Sequence, residues 1–353
     1  MSLEILVVDD SALLRRVECD IINSDNKFKV TDTCKDGLEA LEKLRTKKYD
    51  GVVLDINMPR MDGLELLQQL QKEKIKANIV MASTLTVEGA DEAIKSLELG
   101  AIDFVTKPSN IIEAKGDAFK KALLDVLYAA TKARVHFKKP SLTPAADKTA
   151  ASSVNRLKKP GQNKIIAIAS STGGPKALQS VIPKIPADID APVVLVQHMP
   201  AGFTSSMAAR LNELSKVQVK EAENGELLKK GVVYIAPGGK HIVVNKKGAS
   251  HVIGYSDMPP IGGLKPCANI MFDSLGQTGF DEVVCVVLTG MGADGTNGIL
   301  SLGKKKSVHV IAQDESSCIV YGMPRAIYEA GVVDEVVALS KVAETITKNV
   351  GVK

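Results

Sequence analysis

The chain reads as two α/β domains, each built on a parallel sheet with helices on both faces, and three observations predict this. The first 130 residues alternate apolar runs with amphipathic stretches five times, the rhythm of strand and crossover helix. From residue 164 the alternation resumes with unbroken apolar runs, as expected of strands buried on both faces. The 353 residues also exceed what one ordinary core holds.

In the first domain, residues 1–130, the predicted strands are LEILVV, FKVTDT, GVVLD, NIVMAS and AIDFVT, with helices beginning near Ser11, Asp36, Asp62, Glu88 and Ile111. Such a sheet collects the carboxyl ends of its strands along one edge, where ligands bind at the switch in strand order. Residues 131–163 lose the pattern and are rich in Lys, Arg, Ser, Thr, Ala and Pro, the composition of a flexible, solvated linker. In the second domain, residues 164–353, the strands are KIIAIA, APVVLVQ, DEVVCVVLT and SVHVIA. Short alternating runs with Gly at the turns predict a small antiparallel insertion over roughly 231–255.

Composition narrows the function. With 45% hydrophobic and 24% charged residues the chain is ordinary globular protein. A net charge of +4, no Trp and 4% aromatics give no basis for nucleic-acid binding. No apolar run is long enough to span a membrane, and the acids at Asp9 and Asp10 are unlike a signal peptide. A cytoplasmic location without membrane insertion is expected. Five cysteines with no C-x-x-C pair support neither a disulfide framework nor a zinc site.

Asp9 and Asp10 follow the first strand, and Asp55 ends the third. If those strands are neighbours, three carboxylates converge, and clustered carboxylates repel unless a hard cation such as Mg²⁺ joins them. Thr84 and Lys107 fall at the ends of the fourth and fifth strands, where a hydroxyl and an ammonium can hold phosphoryl oxygens. With VVDDS, LDINMPRMDGLE, MAST and LGAIDFVTKP in order, residues 1–125 resemble the receiver domain of two-component response regulators. The resemblance implies a flavodoxin-like sheet and Asp55 as phosphoacceptor. It implies Mg²⁺ held by Asp9, Asp10, Asp55 and the backbone carbonyl of Asn57, phosphoryl contacts from Thr84 and Lys107, and Phe104 as the aromatic switch.

The second domain carries IIAIASSTGGP at residues 165–175, an apolar strand ending in Ser170, Ser171, Thr172 and two glycines before Pro175. This is a tight strand-to-helix turn that presents Ser171 as a nucleophile, with amides nearby for an oxyanion. An anion-binding loop is the competing reading, but the Lys and hydroxyl pair of a Walker loop is absent. His198 leaves the sheet after VVLVQ, and Asp294 lies in LTGMGADG after the strand DEVVCVVLT. Three roles from three strand ends make a spatial triad in which His198 takes the Ser171 proton and Asp294 fixes the imidazole. The residues also allow plainer roles: Ser171 and Asp294 as helix caps, His241 as the base, Asp314 as the acid. His136 falls in the linker and is set aside. Amides near Thr172 and Met291 are the candidate oxyanion donors.

IAIASSTGGPKAL, VVLVQHMPAGFT, YIAPGGKHI, LTGMGADGTNGI and QDESSCIVYGMPRA occur in one order, and on them the chain resembles the chemotaxis protein-glutamate methylesterase family over almost its full length. The resemblance implies Ser171, His198 and Asp294 as the triad, the S-T-G-G register favouring Ser171 over Ser170. It implies a phosphorylation-activated methylesterase of the two-component system for chemotaxis, hydrolysing glutamyl methyl esters on chemoreceptor cytoplasmic domains, with protein-glutamine deamidase (glutaminase) activity. A chemotaxis histidine kinase is the expected phosphodonor, and the esterase domain is expected to need no cofactor.

Overall fold

A computed structural model describes residues 2–108, 110–114, 116–133 and 163–352. Contacts divide the chain into two compact units, Met1–Val135 and His136–Lys353. Most of the predicted linker lies outside the described residues. Its first three positions do not belong to it, because the helix Asp117–Ala133 runs on through Thr131.

The first unit contains β1 (Leu3–Val8), β2 (Phe28–Cys34), β3 (Gly51–Asp55), β4 (Ile79–Ser83) and β5 (Asp103–Thr106). They pair in parallel in the order β2-β1-β3-β4-β5. Each apolar run supplies a strand, and Ile5–Val8 and Val52–Leu54 are wholly buried. The helices start on side-chain caps: Ser11, Asp36, Asp62 and Thr86 each accept an amide of the first turn, satisfying donors that a helix leaves unpaired. With β1 beside β3, the strand order reverses at Asp9 and Asp55.

The second unit contains β6 (Lys164–Ser170), β7 (Val193–Gln197), β8 (Gln218–Glu221), β9 (Val232–Ile235), β10 (His241–Lys247), β11 (Ser250–Ser256), β12 (Glu282–Val287), β13 (Ser307–Gln313) and β14 (Glu335–Val337). Seven of these form one parallel sheet in the order β14-β13-β12-β6-β7-β9-β8. The antiparallel element is smaller than predicted. The run VVYI is not part of it but a buried parallel strand, β9, and only β10 and β11 pair antiparallel, as a separate two-stranded sheet. Their turn is two residues long, with Gly248 at φ +62°, a backbone value that suits glycine in a tight hairpin. The sheet's core joins β6, β7 and β12 to Phe272, Met271 and Met323 from the flanking helices. The first strand, β6, lies between β7 and β12, so the carboxyl end of β6 opens at the switch in strand order. Among the described residues no helix is long and apolar enough to cross a membrane.

Candidate active site

Register brings the three predicted strand ends together. Ser170 pairs with Gln197 across β6 and β7, and Ala169 pairs with Val287 across β6 and β12. One residue further on, Ser171 N–H donates to Thr289 O (3.0 Å) and His198 N–H to Ser170 O (3.2 Å). Gly173 adopts φ +74° and starts the helix Gly174–Val181 with no side-chain cap. Ser171 is therefore not a cap, and its side chain stands partly exposed on the turn. Gly290 makes room for it, and Gly174 makes room for the Gln197 side chain behind it. A Cβ on Gly290 would lie 2.8 Å from Ser171 Cβ, and one on Gly174 would lie 2.0 Å from Gln197 Oε1.

Gln197 is a functional residue that the sequence reading missed. Its Oε1 accepts from Ser170 Oγ (2.7 Å), while its Nε2 donates to Ser171 O (2.9 Å) and His198 O (3.2 Å). One buried amide thus ties nucleophile turn to histidine turn. Ser170 has no access to solvent, so its hydroxyl serves this tie.

His198 Nε2 is 2.8 Å from Asp294 Oδ2, and the two side chains are 8% and 5% exposed. The other ring nitrogen, Nδ1, is buried without a hydrogen-bond partner among the described residues. Asp294 does not cap the helix Thr296–Gly303, whose N-cap is Gly295. Its carboxylate instead accepts from Ala268 N–H (2.6 Å), Asn269 N–H (3.0 Å), Gly295 N–H (2.9 Å) and the Cys267 thiol (3.1 Å). Burial raises its pKa, but the bonds from His198, Cys267 and Ala268 outweigh that and hold it at about 2. Residues 267–269 were also missed, and the run KPCANI carries no local signal for a carboxylate cradle.

The alternative base and acid are otherwise engaged. His241 is fully buried, with Nδ1 accepting from Cys267 N–H (3.1 Å) and Nε2 donating to Pro259 O (3.2 Å). Burial lowers its pKa, which keeps it neutral. Asp314 caps the turn Glu315–Ser317. The amides of Thr172 and Met291 have no protein acceptor among the described residues, and both flank Ser171 through the Thr289 contact and the close approach of Gly290. Thr289 Oγ1 donates to Thr172 O (3.0 Å) and accepts from Val320 N–H (2.9 Å). The segment IVYGMP thereby buttresses the loop.

In the first unit, Asp9, Asp10 and Asp55 each offer a carboxylate oxygen, all within 4.8 Å of one another. Lys107 Nζ lies 2.6 Å from Asp9 Oδ2 and 2.7 Å from Asp55 Oδ2, inside the protein. Burial raises the Asp55 pKa to about 6 against the opposing pull of Lys107. For Lys107, burial acts downward, and the attraction of Asp55 and Asp9 outweighs it. This set of hard oxygen donors at a strand switch fits Mg²⁺. Asn57 turns its side-chain amide to Glu92 Oε2 (3.2 Å), so its side chain is not directed to the acids. Thr84 follows β4 rather than ending it, is exposed, and shares a hydrogen bond with Thr86 Oγ1 (3.1 Å). Ser83, the last residue of β4, is buried with Oγ on Gly89 O (2.6 Å). Phe104 is packed inside at 8% exposure.

A receiver-type sheet with an acid pocket, followed by an α/β sheet that gathers Ser, His and Asp at its switch point, has the make-up of a regulated hydrolase. Comparison with known proteins agrees. Residues 5–115 match the response regulator receiver domain model, and residues 166–346 match the CheB methylesterase model. Proteins named protein-glutamate methylesterase/protein-glutamine glutaminase from Halalkalibacterium halodurans and Bacillus subtilis are each 41% identical to it, over 348 and 351 residues and 98% of each chain. The crystal structure of the Thermotoga maritima CheB methylesterase catalytic domain aligns with a TM-score of 0.51 at 39% identity, covering 53% of this chain and 98% of that one. The chain belongs to the CheB methylesterase family.

Proposed function

We propose that this protein hydrolyses glutamyl methyl esters on chemoreceptor cytoplasmic domains, with Ser171 as nucleophile, His198 as base and Asp294 as its partner, under control of phosphorylation at Asp55. The observation that carries the reading is the His198 ring. One nitrogen is engaged by a buried carboxylate at 2.8 Å and the other is buried and without a hydrogen-bond partner among the described residues; His198 and Ser171 each follow directly on the Ser170–Gln197 pair of neighbouring strands.

Ser171 Oγ attacks the ester carbonyl and yields its proton to His198 Nδ1. Asp294 accepts from Nε2–H, fixes that tautomer and stabilises the imidazolium. The amides of Thr172 and Met291 donate to the oxyanion. Collapse breaks the carbonyl–methoxy bond, and the imidazolium proton leaves with methanol. Water then attacks the acyl-enzyme, giving its proton to Nδ1, and releases the glutamate with Ser171 restored. A glutamine side chain follows the same path with ammonia as leaving group, which supports glutaminase activity. No cofactor enters this sequence.

In the receiver, Asp9, Asp10, Asp55 and the Asn57 carbonyl would hold Mg²⁺, which supplies positive charge beside the phosphoacceptor. Lys107 is already in contact with Asp55 and would keep contact with a phosphoryl group there. Thr84 would turn from Thr86 to that group, with Phe104 repacking in response. A chemotaxis histidine kinase is the phosphodonor, and the protein works in the cytoplasm. Residues 1–130 act as the regulatory domain, residues 164–353 as the catalytic domain, and the segment between connects them. Methanol release from a methyl-esterified receptor cytoplasmic fragment, with and without phosphodonor, tests the reading: release stimulated by phosphorylation supports it, and no release in either state rejects it.

A further inference from the structure

Asp294 is gripped by three consecutive residues, and one of them does so with its side chain. Asn269 and Gly295 already give Oδ1 two amide donors, and Ala268 gives Oδ2 one. The Cys267 thiol adds a further donor to Oδ1 at 3.1 Å, the side-chain donor to this carboxylate other than His198. Cys267 is 1% exposed. Its own amide donates to His241 Nδ1 at 3.1 Å, and His241 is anchored by its Nε2–H on Pro259 O. The hydrogen bonds therefore run in one line from Pro259 through His241 and Cys267 to Asp294 and His198.

We propose that Cys267 and His241 are positioning residues for Asp294: His241 Nδ1 fixes the backbone at Cys267, and the thiol locks Oδ1 so that Oδ2 is presented to His198 Nε2, leaving Nδ1 as the free nitrogen. This rests on the triad reading given above. Burial first, and then the hydrogen bond to Asp294 and its charge, push the thiol pKa up to about 12, so Cys267 remains a donor through the working pH range rather than a nucleophile. The titratable groups against Asp294 are His198 and Cys267, with His241 and Lys265 one step behind.

The test uses the full-length protein and methanol release from a methyl-esterified receptor fragment, with kcat and KM measured from pH 5 to 9. Cys267→Ala is expected to lower kcat about 10-fold with KM unchanged. A carboxylate that loses a donor holds the imidazolium more tightly, so the acid limb should move up by about 0.5–1 pH unit. Cys267→Ser keeps a donor and should recover both. His241→Asn, which retains an acceptor near the position of Nδ1, should exceed His241→Leu in kcat. If Cys267→Ala does not fold, Cys267→Val, close in size and without a donor, carries the same comparison. Wild-type kcat and acid limb in the donorless variant, or a folded Cys267→Ser no better than it, overturns the proposal. Asp294→Asn separates the two readings. Lost activity there with an unaffected donorless Cys267 variant removes only the positioning role, whereas retained activity in Asp294→Asn overturns the triad and this proposal together.

Discussion

Ser170 and Ser171 are adjacent in sequence and opposite in circumstance: Ser170 Oγ is fully buried on Gln197 Oε1 at 2.7 Å, while Ser171 stands partly exposed on the turn, held through its backbone. Ser170→Ala should therefore act on stability. It leaves Gln197 Oε1 buried without its donor, a loss of about 1–3 kcal/mol, with the chemistry still in place. Thermal melts and kcat measured on the same sample check this; a large fall in kcat at an unchanged melting temperature would show that Ser170 is itself the nucleophile.

Gly290 tests how closely the loops must approach. A methyl group there would meet Met323 Sδ at 2.4 Å and Ser171 Cβ at 2.8 Å, so the Thr289–Met291 loop must withdraw. Displacement on the scale of 1 Å can cost about 10²-fold in rate. Gly290→Ala should lose roughly that factor in kcat, and near-wild-type turnover would place the reacting groups elsewhere.

The pH profile follows from Asp294. Its pKa is held at about 2, below the ordinary carboxylate value, by His198 and the Cys267–Asn269 cradle against the effect of burial. A carboxylate so depressed contributes stability that is present above its unfolded value of about 3.9 and is lost as pH falls through about 2. Asp294 thus stays ionised from pH 5 to 8, and because a general base must be unprotonated to act, activity should fall on the acid side without any loss of the Asp294 charge. A flat profile over that range, with chemistry rate-limiting, would remove His198 as base.

The receiver pocket gives a metal-linked prediction. Mg²⁺ should raise the melting temperature of the receiver transition at pH 7 relative to chelator, since a ligand bound only by the folded state stabilises it. Asp55 has its pKa raised to about 6, chiefly by burial; protonation favours its folded form, so that contribution is present below about 3.9 and lost as pH rises through the folded value. Protonated carboxylates bind Mg²⁺ poorly, so the Mg²⁺ increment should shrink below about 6. Asp10→Asn should reduce it at pH 7. A Mg²⁺ increment equal at pH 5 and pH 7 would argue against these acids as ligands.

Much of this was legible in the sequence because burial on both faces writes apolar runs: β1, β3, β4, β6, β7, β12 and β13 were visible as such, while the edge strand β2, with the half-exposed pattern of FKVTDTC, was read from the strand and helix rhythm around it. The misses have physical causes. β8 and β14 lie at the edges of the sheet, are four and three residues long, and carry polar residues. β9 is a full core strand, but its neighbouring Gly-rich hairpin gave the segment an antiparallel texture. That Ser171, His198 and Asp294 fall along one edge of the sheet was legible because each follows β6 or a strand beside it, β7 or β12. Gln197 and Cys267–Asn269 were not, since an amide tie and a carboxylate cradle depend on tertiary contacts across 26 and 25 residues and leave no periodic mark.

The central claim is that Ser171 performs the chemistry, and methanol release from a methyl-esterified receptor fragment by the full-length Ser171→Ala protein tests it most directly. Removing a hydroxyl from a partly exposed turn creates no core cavity, so the variant should melt with the wild type. The account predicts that this folded variant releases no methanol above the uncatalysed rate, with or without phosphodonor. Turnover by Ser171→Ala within a few-fold of wild type would contradict it.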